Sequence, residues 1–417
     1  MEMTGDLIKH VSDSFGMVRD LTAGTTTDRR YELLAGYFES AFKRKERGET
    51  LTWVNFATIP EILWAMDLVP LYIDAVIGPS AGFSEKGLSE YIDTAEGIIP
   101  DHLCATNKSF VGAILQGDIP VPDMLINAGH PCDSNIATYP VIAEKYGIPY
   151  FCVDAPYWRD ERGMRHMTDE LERLVSFLED VTGHKLDFAK LQQTMEYSNR
   201  AHECILKLNE LKMASPAPCP GVDSASDYLL GLCLPGTPQF ADYCEERYEY
   251  LKGMVDRGEG AVPNERLRLA WIFGAPSFDV SVFPWLEQEY GAASILLPGS
   301  VLVKPVDDIS SMNSIMKGLA EKMVTLPMGK ECGGPWENYV DTAIEFCAGF
   351  KADAAIFLNN LGCQHNWPIT KLVKDKIYDQ LGIPTLIMEA DFFDPRHVST
   401  EDMKIKLEGF LSTVVEG

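Results

Sequence analysis

Two stretches, DMLINAGHPCDSNIATYPVIAEKYGIPYFCVDAPYWRDE at 123–161 and NNLGCQHNWPITKLVKDKIYDQLGIPTLIMEADFFDPR at 359–396, share one plan. In each a cysteine lies just after an apolar run, Cys132 after the run within DMLINAG and Cys363 after the run AAIFL that ends at residue 358. A helix-like segment follows, then a second apolar run that ends in acids. Short unbroken apolar runs bounded by turn residues read as strands buried on both faces, as in parallel sheets. Parallel neighbours need a crossover, usually a helix, and its hand is right-handed. Each stretch is therefore a strand–helix–strand unit, and each cysteine sits where a strand passes into a helix.

Working outward, further strands are expected at LTWVNFA (51–57) and PLYI (70–73), with the first unit supplying DMLINAG (123–129), PYFCVDA (149–155) and a helix over 134–146. IPEILWAMDL reads as a helix with Pro60 at its start, where a missing N–H does no harm. The second set is LRLAWIFGAP (267–276), the helix VFPWLEQEYG, ASILLPG, ADAAIFLNN (352–360) and PTLIMEAD (384–391). TWVNFATIPEILWAMDLVPLYI runs in step with AWIFGAPSFDVSVFPWLEQEYGAASILL, so the two halves repeat one another. Between them the strand signals stop. TDELERLVSFLEDVTG, FAKLQQTMEYSNRAHECILKLNELK and FADYCEERYEYLKGMVDRGEG are helical in period, with a Pro-rich break at ASPAPCPGVDS. The expected fold is α/β: two similar parallel-sheet domains facing each other. They are 51–160 and 263–417, with an N-terminal helical segment at 1–50 and a helical connector at 161–262.

Composition narrows the function. The 417 residues are too many for one ordinary core. A net charge of -26 argues against nucleic acid and anionic membranes, which need clustered Lys and Arg, but leaves room for a phosphorylated small ligand. No apolar run is long enough to span a bilayer, and MEMTGDLIKHVSDSF does not read as a signal peptide. A cytoplasmic protein is expected. Ten cysteines without CxxC or CxxxC are neither a disulfide scaffold nor a compact metal motif, so any metal site is assembled from distant segments.

Ligands of open α/β sheets gather beyond the carboxyl ends of the strands. Cys132 and Cys363 occupy that place, and helix N-termini stabilise thiolates. Cys104, in PDHLCATNKSF, also lies before a helix-like segment. Three thiolates converging on one crevice suit an iron–sulfur cluster with one iron left open. A buried cysteine is also an ordinary small hydrophobe, and Cys152, Cys204, Cys219, Cys233, Cys244 and Cys347 are read that way. Spacing alone leaves both readings open for Cys104, Cys132 and Cys363. Cys332, in GKECGGPW, joins them, because it precedes Cys363 by 31 residues as Cys104 precedes Cys132 by 28.

With these motifs in order (IPEILWAMDLVPLY, DHLCATNKSFVG, PDMLINAGHPCDSN, FLNNLGCQHNW, GIPTLIMEADFFDPR) the chain resembles the 2-hydroxyacyl-CoA dehydratase and benzoyl-CoA reductase family. The resemblance implies two flavodoxin-like (Rossmann-like) domains and one [4Fe–4S] cluster held by Cys104, Cys132 and Cys363. The possible extra ligand Cys332 comes from the repeat and its flanking glycines, not from the resemblance. The resemblance also implies a heterodimer with a homologous second iron–sulfur subunit, and a separate ATP-dependent iron–sulfur activator. The chemistry it implies is low-potential one-electron reduction of an acyl-CoA thioester to a ketyl radical. A dehydratase then expels water, whereas an aryl-CoA reductase reduces the ring. His130, His365, Asn135 and Asn366 flank the cysteines as candidate hydrogen-bond donors to sulfur, with His130 and His365 also candidate catalytic groups. Asp74 stands where some members carry a glutamate, and reads either as a general base or as an ordinary strand-end acid.

The chain departs from the family's usual pattern in two places. The first strand ends in Asn55-Phe56-Ala57, without the serine of many dehydratases, and the third cysteine lies in Leu361-Gly362-Cys363-Gln364 rather than Arg-Ser-Cys-Lys. These departures tilt the expectation toward a benzoyl-CoA (aryl-CoA) reductase, with a dehydratase subunit as the alternative. A double-cubane reductase would recruit Cys152 and Cys332 but lacks a sixth cysteine in ASILLPGSV. A non-catalytic electron-relay subunit is the remaining reading. There is no GxGxxG or P-loop, so ATP belongs to the partner. The acidic stretches DYCEERYEYLKGMVDRGEGAV and VSTEDMKIKLEGFLSTVVEG read as solvated helix faces.

Overall fold

The computed structural model describes residues 6–24, 28–83, 88–298 and 303–416. The first residues of the chain and the end of ASILLPGSV lie outside the described residues.

The apolar runs become two four-stranded parallel sheets. The first contains β1 (Thr52–Val54), β2 (Pro70–Tyr72), β3 (Met124–Ala128) and β4 (Tyr150–Val153) in the order β2-β1-β3-β4. The second contains β5 (Leu267–Trp271), β6 (Ala292–Leu296), β7 (Ala354–Asn360) and β8 (Thr385–Ala390) in the order β6-β5-β7-β8. Substituting each strand by its counterpart four places on turns one order into the other, so the sequence repeat is a repeat of topology. Every residue of β1, β3 and β7 is buried, which is why these strands read as apolar runs without alternation. Trp53 and Trp271 occupy corresponding places and are both fully buried, one against Phe110 and the other against Phe283.

In both sheets the chain goes from the first strand to one side, then crosses to the other. The reversal lies between β1 and β3, and again between β5 and β7. Such a reversal leaves a crevice at the carboxyl ends, because the connecting helices on its two sides lie on opposite faces. Helices α7 (Asp133–Tyr146) and α16 (Asn366–Leu381) begin there, just beyond β3 and β7. α6 (Ala105–Gln116) precedes β3, and α15 (Trp336–Gly349) precedes β7.

The N-terminal segment folds as α1 (Leu7–Leu21), capped by the Asp6 carboxylate, and α2 (Asp28–Glu46). The middle of the chain is helical, as its period predicts: α8 (Glu161–Thr182), α9 (Phe188–Lys212), α10 (Gly221–Cys233) and α11 (Pro238–Asp256). α10 starts inside the Pro-rich break, where Pro220 precedes its first turn. These helices share one continuous apolar core with α1, α2 and the first sheet. Buried charges fasten them. Arg30 of α2 meets Asp223 of α10 at 2.5 Å, and Arg247 of α11 pairs with the same carboxylate. α13 (Met312–Val324) packs on α8 and α9, and its Lys322 forms a buried ion pair with Glu61 of α3 (Glu61–Ala65). Among the described residues, no helix is long and apolar enough to cross a membrane.

Candidate functional site

The carboxyl ends of both sheets open on one cavity of about 480 Å³. Phe56 reaches it from beyond β1, Phe273 from beyond β5 and Phe392 from beyond β8. Cys104, Cys132, Cys363 and Cys332 all line it, as do Asp74 and His365. The wall is otherwise mainly apolar, and no lysine or arginine lines it among the described residues.

Local structure explains how each thiol arrives. Cys104 and Cys132 are the N-cap residues of α6 and α7. Cys363 lies two residues before the N-cap residue of α16, His365. The unbonded N–H groups of a helix start are what such a thiol meets. The amide of Asn135 hydrogen-bonds Cys132, and the amides of His365 and Asn366 hydrogen-bond Cys363. Cys104 is met by the Thr106 amide, its thiol donates to Thr106 Oγ1 at 3.6 Å, and the Asn360 side chain donates to its Sγ at 3.5 Å. All three helices point their positive ends at the cavity.

The lobes touch around these thiols. The Cys104 amide donates to Ser134 Oγ at 3.0 Å, tying it to the turn that carries Cys132. From the second lobe, Gly362 packs against the backbone of Leu103 and Cys104 so closely that a Cβ there would lie 2.8 Å from the Leu103 carbonyl oxygen. Gly362 has φ +78°, a conformation that glycine adopts without strain. His365 Nε2 lies 3.6 Å from Asp133, across the same seam. The thiols lie close enough to perturb one another. Burial pushes the Cys104 thiol up to about 12, with Asp391 and Cys363 adding to the shift. Burial also raises Cys132, with Cys104 and Cys363 as further causes, and raises Cys332, with Cys363 and Cys132 adding to it. Cys363 is raised by burial and partly relieved by its two amide donors.

The other expected residues separate. Asp74 lines the cavity, but in the first turn of α4 (Ile73–Phe83) rather than at a strand end. Its carboxylate accepts the Phe56 amide at 3.0 Å, and burial lifts its pKa to about 6. Burial lowers the pKa of His365 and so favours its neutral form. His130 is not among the lining residues; it is close enough to His365 to act on it electrostatically. Cys152 lies on β4, where its thiol senses Tyr150, Asp154 and Glu170 rather than the other cysteines. Asn55 faces inward, binding Thr58 and the Ala128 amide, so Phe56 takes the cavity position. Asn135 and Asn366 serve through their backbones, and the buried Nδ2 of each has no acceptor among the described residues. Several contributors were not foreseen. Asn360 bonds Cys104, Asp391 raises its pKa, and Phe15 and Tyr31 bring α1 and α2 into the wall. The apolar-run-then-acid ending of GIPTLIMEADFFDPR was the available signal for Asp391.

Among the described residues, no three His, Cys, Asp or Glu side chains are spaced to hold a single metal ion. The donor set has the chemistry of a cluster site instead: soft thiols, an amide donor behind each of the three, and orphaned buried side-chain amides beside Cys132 and Cys363. Cys104, Cys132 and Cys363 are the residues that could hold an iron–sulfur group.

Comparison with known proteins adds the relatives. A family described as 2-hydroxyglutaryl-CoA dehydratase, D-component, matches residues 57–414. The (R)-2-hydroxyisocaproyl-CoA dehydratase alpha subunit of Clostridioides difficile is 22% identical, over 92% of this chain and 95% of its own length. The (R)-phenyllactyl-CoA dehydratase alpha subunit of Clostridium sporogenes is 20% identical, over 90% and 92%. A benzoyl-CoA reductase subunit of Thauera aromatica is 20% identical, over 93% and 94%.

Proposed function

From the premise that the chain belongs to the 2-hydroxyglutaryl-CoA dehydratase D-component family, we propose that it is the cluster-bearing subunit of a 2-hydroxyacyl-CoA dehydratase. The observation that carries this is the meeting of Cys104, Cys132 and Cys363, from both lobes, on one largely apolar cavity. In this reading 51–160 and 263–417 are the lobes, and the three thiols hold a [4Fe–4S] cluster. When bound, that group supplies single electrons at low potential.

The chain's own residues suit that task. The wall is largely apolar, which lowers the local dielectric around the thiols. The starts of α6, α7 and α16 and the amides of Asn135, His365 and Asn366 offset negative charge on sulfur. Cationic side chains are missing from the described wall, while Asp74 and Asp391 stand close; negative charge without a cationic partner favours a low potential. Asp74, kept protonated up to about pH 6, is placed to hold or release a proton at the cavity wall. The naming of each of these relatives as one subunit of an enzyme supports a partner subunit, which this reading takes to be homologous. An ATP-dependent activator and an acyl-CoA substrate complete the reading.

The reductase lean of the sequence departures gives way here, because the family and the dehydratase alpha subunits weigh toward water elimination. The aryl-CoA reductase stays as the second reading, favoured by Asn55-Phe56-Ala57, which puts a phenyl ring rather than a hydroxyl on the cavity. Turnover by the complex with activator and ATP separates them. Loss of water from a 2-hydroxyacyl-CoA is expected; ring reduction of benzoyl-CoA with no dehydration reverses the choice.

A further inference from the structure

The resemblance accounts for three thiols on this cavity, yet the structure brings four. Cys332 closes α14 (Gly329–Cys332), a single short turn between α13 and α15. The repeat gives it a meaning. Each lobe sends one thiol from the switch point after its third strand, Cys132 or Cys363. Each sends a second from the segment before that strand, Cys104 or Cys332. The thiol of Cys332 shares the wall of one cavity with Cys363 and Cys132.

The turn that presents it is built with effort. Met328, just before it, has φ +64°, a conformation that strains a residue with a side chain, and such strain concentrates at functional sites. From the first lobe, Arg159 donates to the carbonyls of Gly329 and Lys330 at 2.9 Å each, fixing the turn across the seam. Glu331 beside it is 4% exposed, and no side chain among the described residues hydrogen-bonds its carboxylate.

We propose that Cys332 is an exchangeable fourth ligand, filling the open iron position of the cluster when no substrate is present. This rests on the cluster reading given above. In the binding step the Cys332 thiol gives its proton to solvent and its sulfur lone pair to iron; no electron moves. On displacement the thiolate takes a proton back.

The test uses the complex with its partner subunit, loaded anaerobically with iron and sulfide. Wild type, Cys332→Ala and Cys332→Ser are treated with limiting ferricyanide, and the three-iron signal is followed by electron paramagnetic resonance. A corner with a protein ligand resists loss, so both variants are expected to lose that iron at least about 10-fold faster. Equal rates in wild type and variants overturn the assignment while leaving the three-thiol site standing. Wild type without iron overturns both. Independently of any variant, iodoacetamide and mass spectrometry read Cys332 in wild type. Protection with iron and labelling after chelation are expected, and equal labelling in both states overturns the assignment. Cys152, away from the cavity, is the internal control.

Discussion

Gly362→Ala tests how the two lobes meet. An added Cβ would sit 2.8 Å from the Leu103 carbonyl oxygen, 2.9 Å from its carbon and 3.1 Å from the Cys104 Cα. Carbon contacts are comfortable at about 3.5–4.0 Å, and all three neighbours are backbone, with no rotamer to turn aside. Two costs add. Holding alanine in the left-handed region costs about 1–2 kcal/mol, and forcing a methyl into a filled space costs about 1–3 kcal/mol. Gly382 separates them, because it has φ +70° and nothing within 4 Å of its Cβ position. Urea unfolding of iron-free protein, compared at a common slope, is the assay. Gly382→Ala is expected to lose about 1–2 kcal/mol and Gly362→Ala about 2–5 kcal/mol. The displaced Cys104 should also weaken iron retention in Gly362→Ala alone. Losses equal within about 0.5 kcal/mol would refute the close approach of the Cys363 turn to Cys104.

Lys322→Met should cost about 3–5 kcal/mol in the same assay, because it strands the buried Glu61 carboxylate; adding Glu61→Gln should restore most of it. Asp74 has its folded pKa raised from 3.8 to about 6, so its contribution is present below about pH 4 and lost as pH rises through 6. That loss is at most about 3 kcal/mol, and Asp74→Asn should flatten the stability profile between pH 4 and 7, with Asp391, also raised to about 6, keeping a residual slope. Asn360→Leu removes the bond to Cys104 Sγ and orphans the Phe392 amide. A stability loss of about 1–3 kcal/mol and a lower cluster potential by redox titration are expected; a raised potential contradicts the role given to Asn360.

The strands were legible because parallel strands buried on both faces leave continuous apolar runs, and the repeat of Trp53 and Trp271 exposed the duplication. The positions of Cys104, Cys132 and Cys363 at helix starts followed from the same pattern. Contacts between segments distant in sequence were not legible. Nothing in the period of α13 says that Lys322 seeks Glu61, and nothing in that of α1 says that Phe15 lines the same cavity as the thiols. The short strand β2 hid the start of α4, so Asp74 was placed at a strand end rather than in a helix. Asn360 looked like the polar end of a strand, and its bond to Cys104 comes from the other lobe.

Iron and acid-labile sulfide, counted on this chain after anaerobic separation from its partner, test the central claim most directly. About four irons per chain are expected in wild type and in Cys347→Ser, whose thiol is buried in the core of the second lobe. Cys104→Ser, Cys132→Ser and Cys363→Ser are each expected to lose most of that iron. Full iron in all three serine variants, or none in wild type, would contradict a cluster held between the lobes by these thiols.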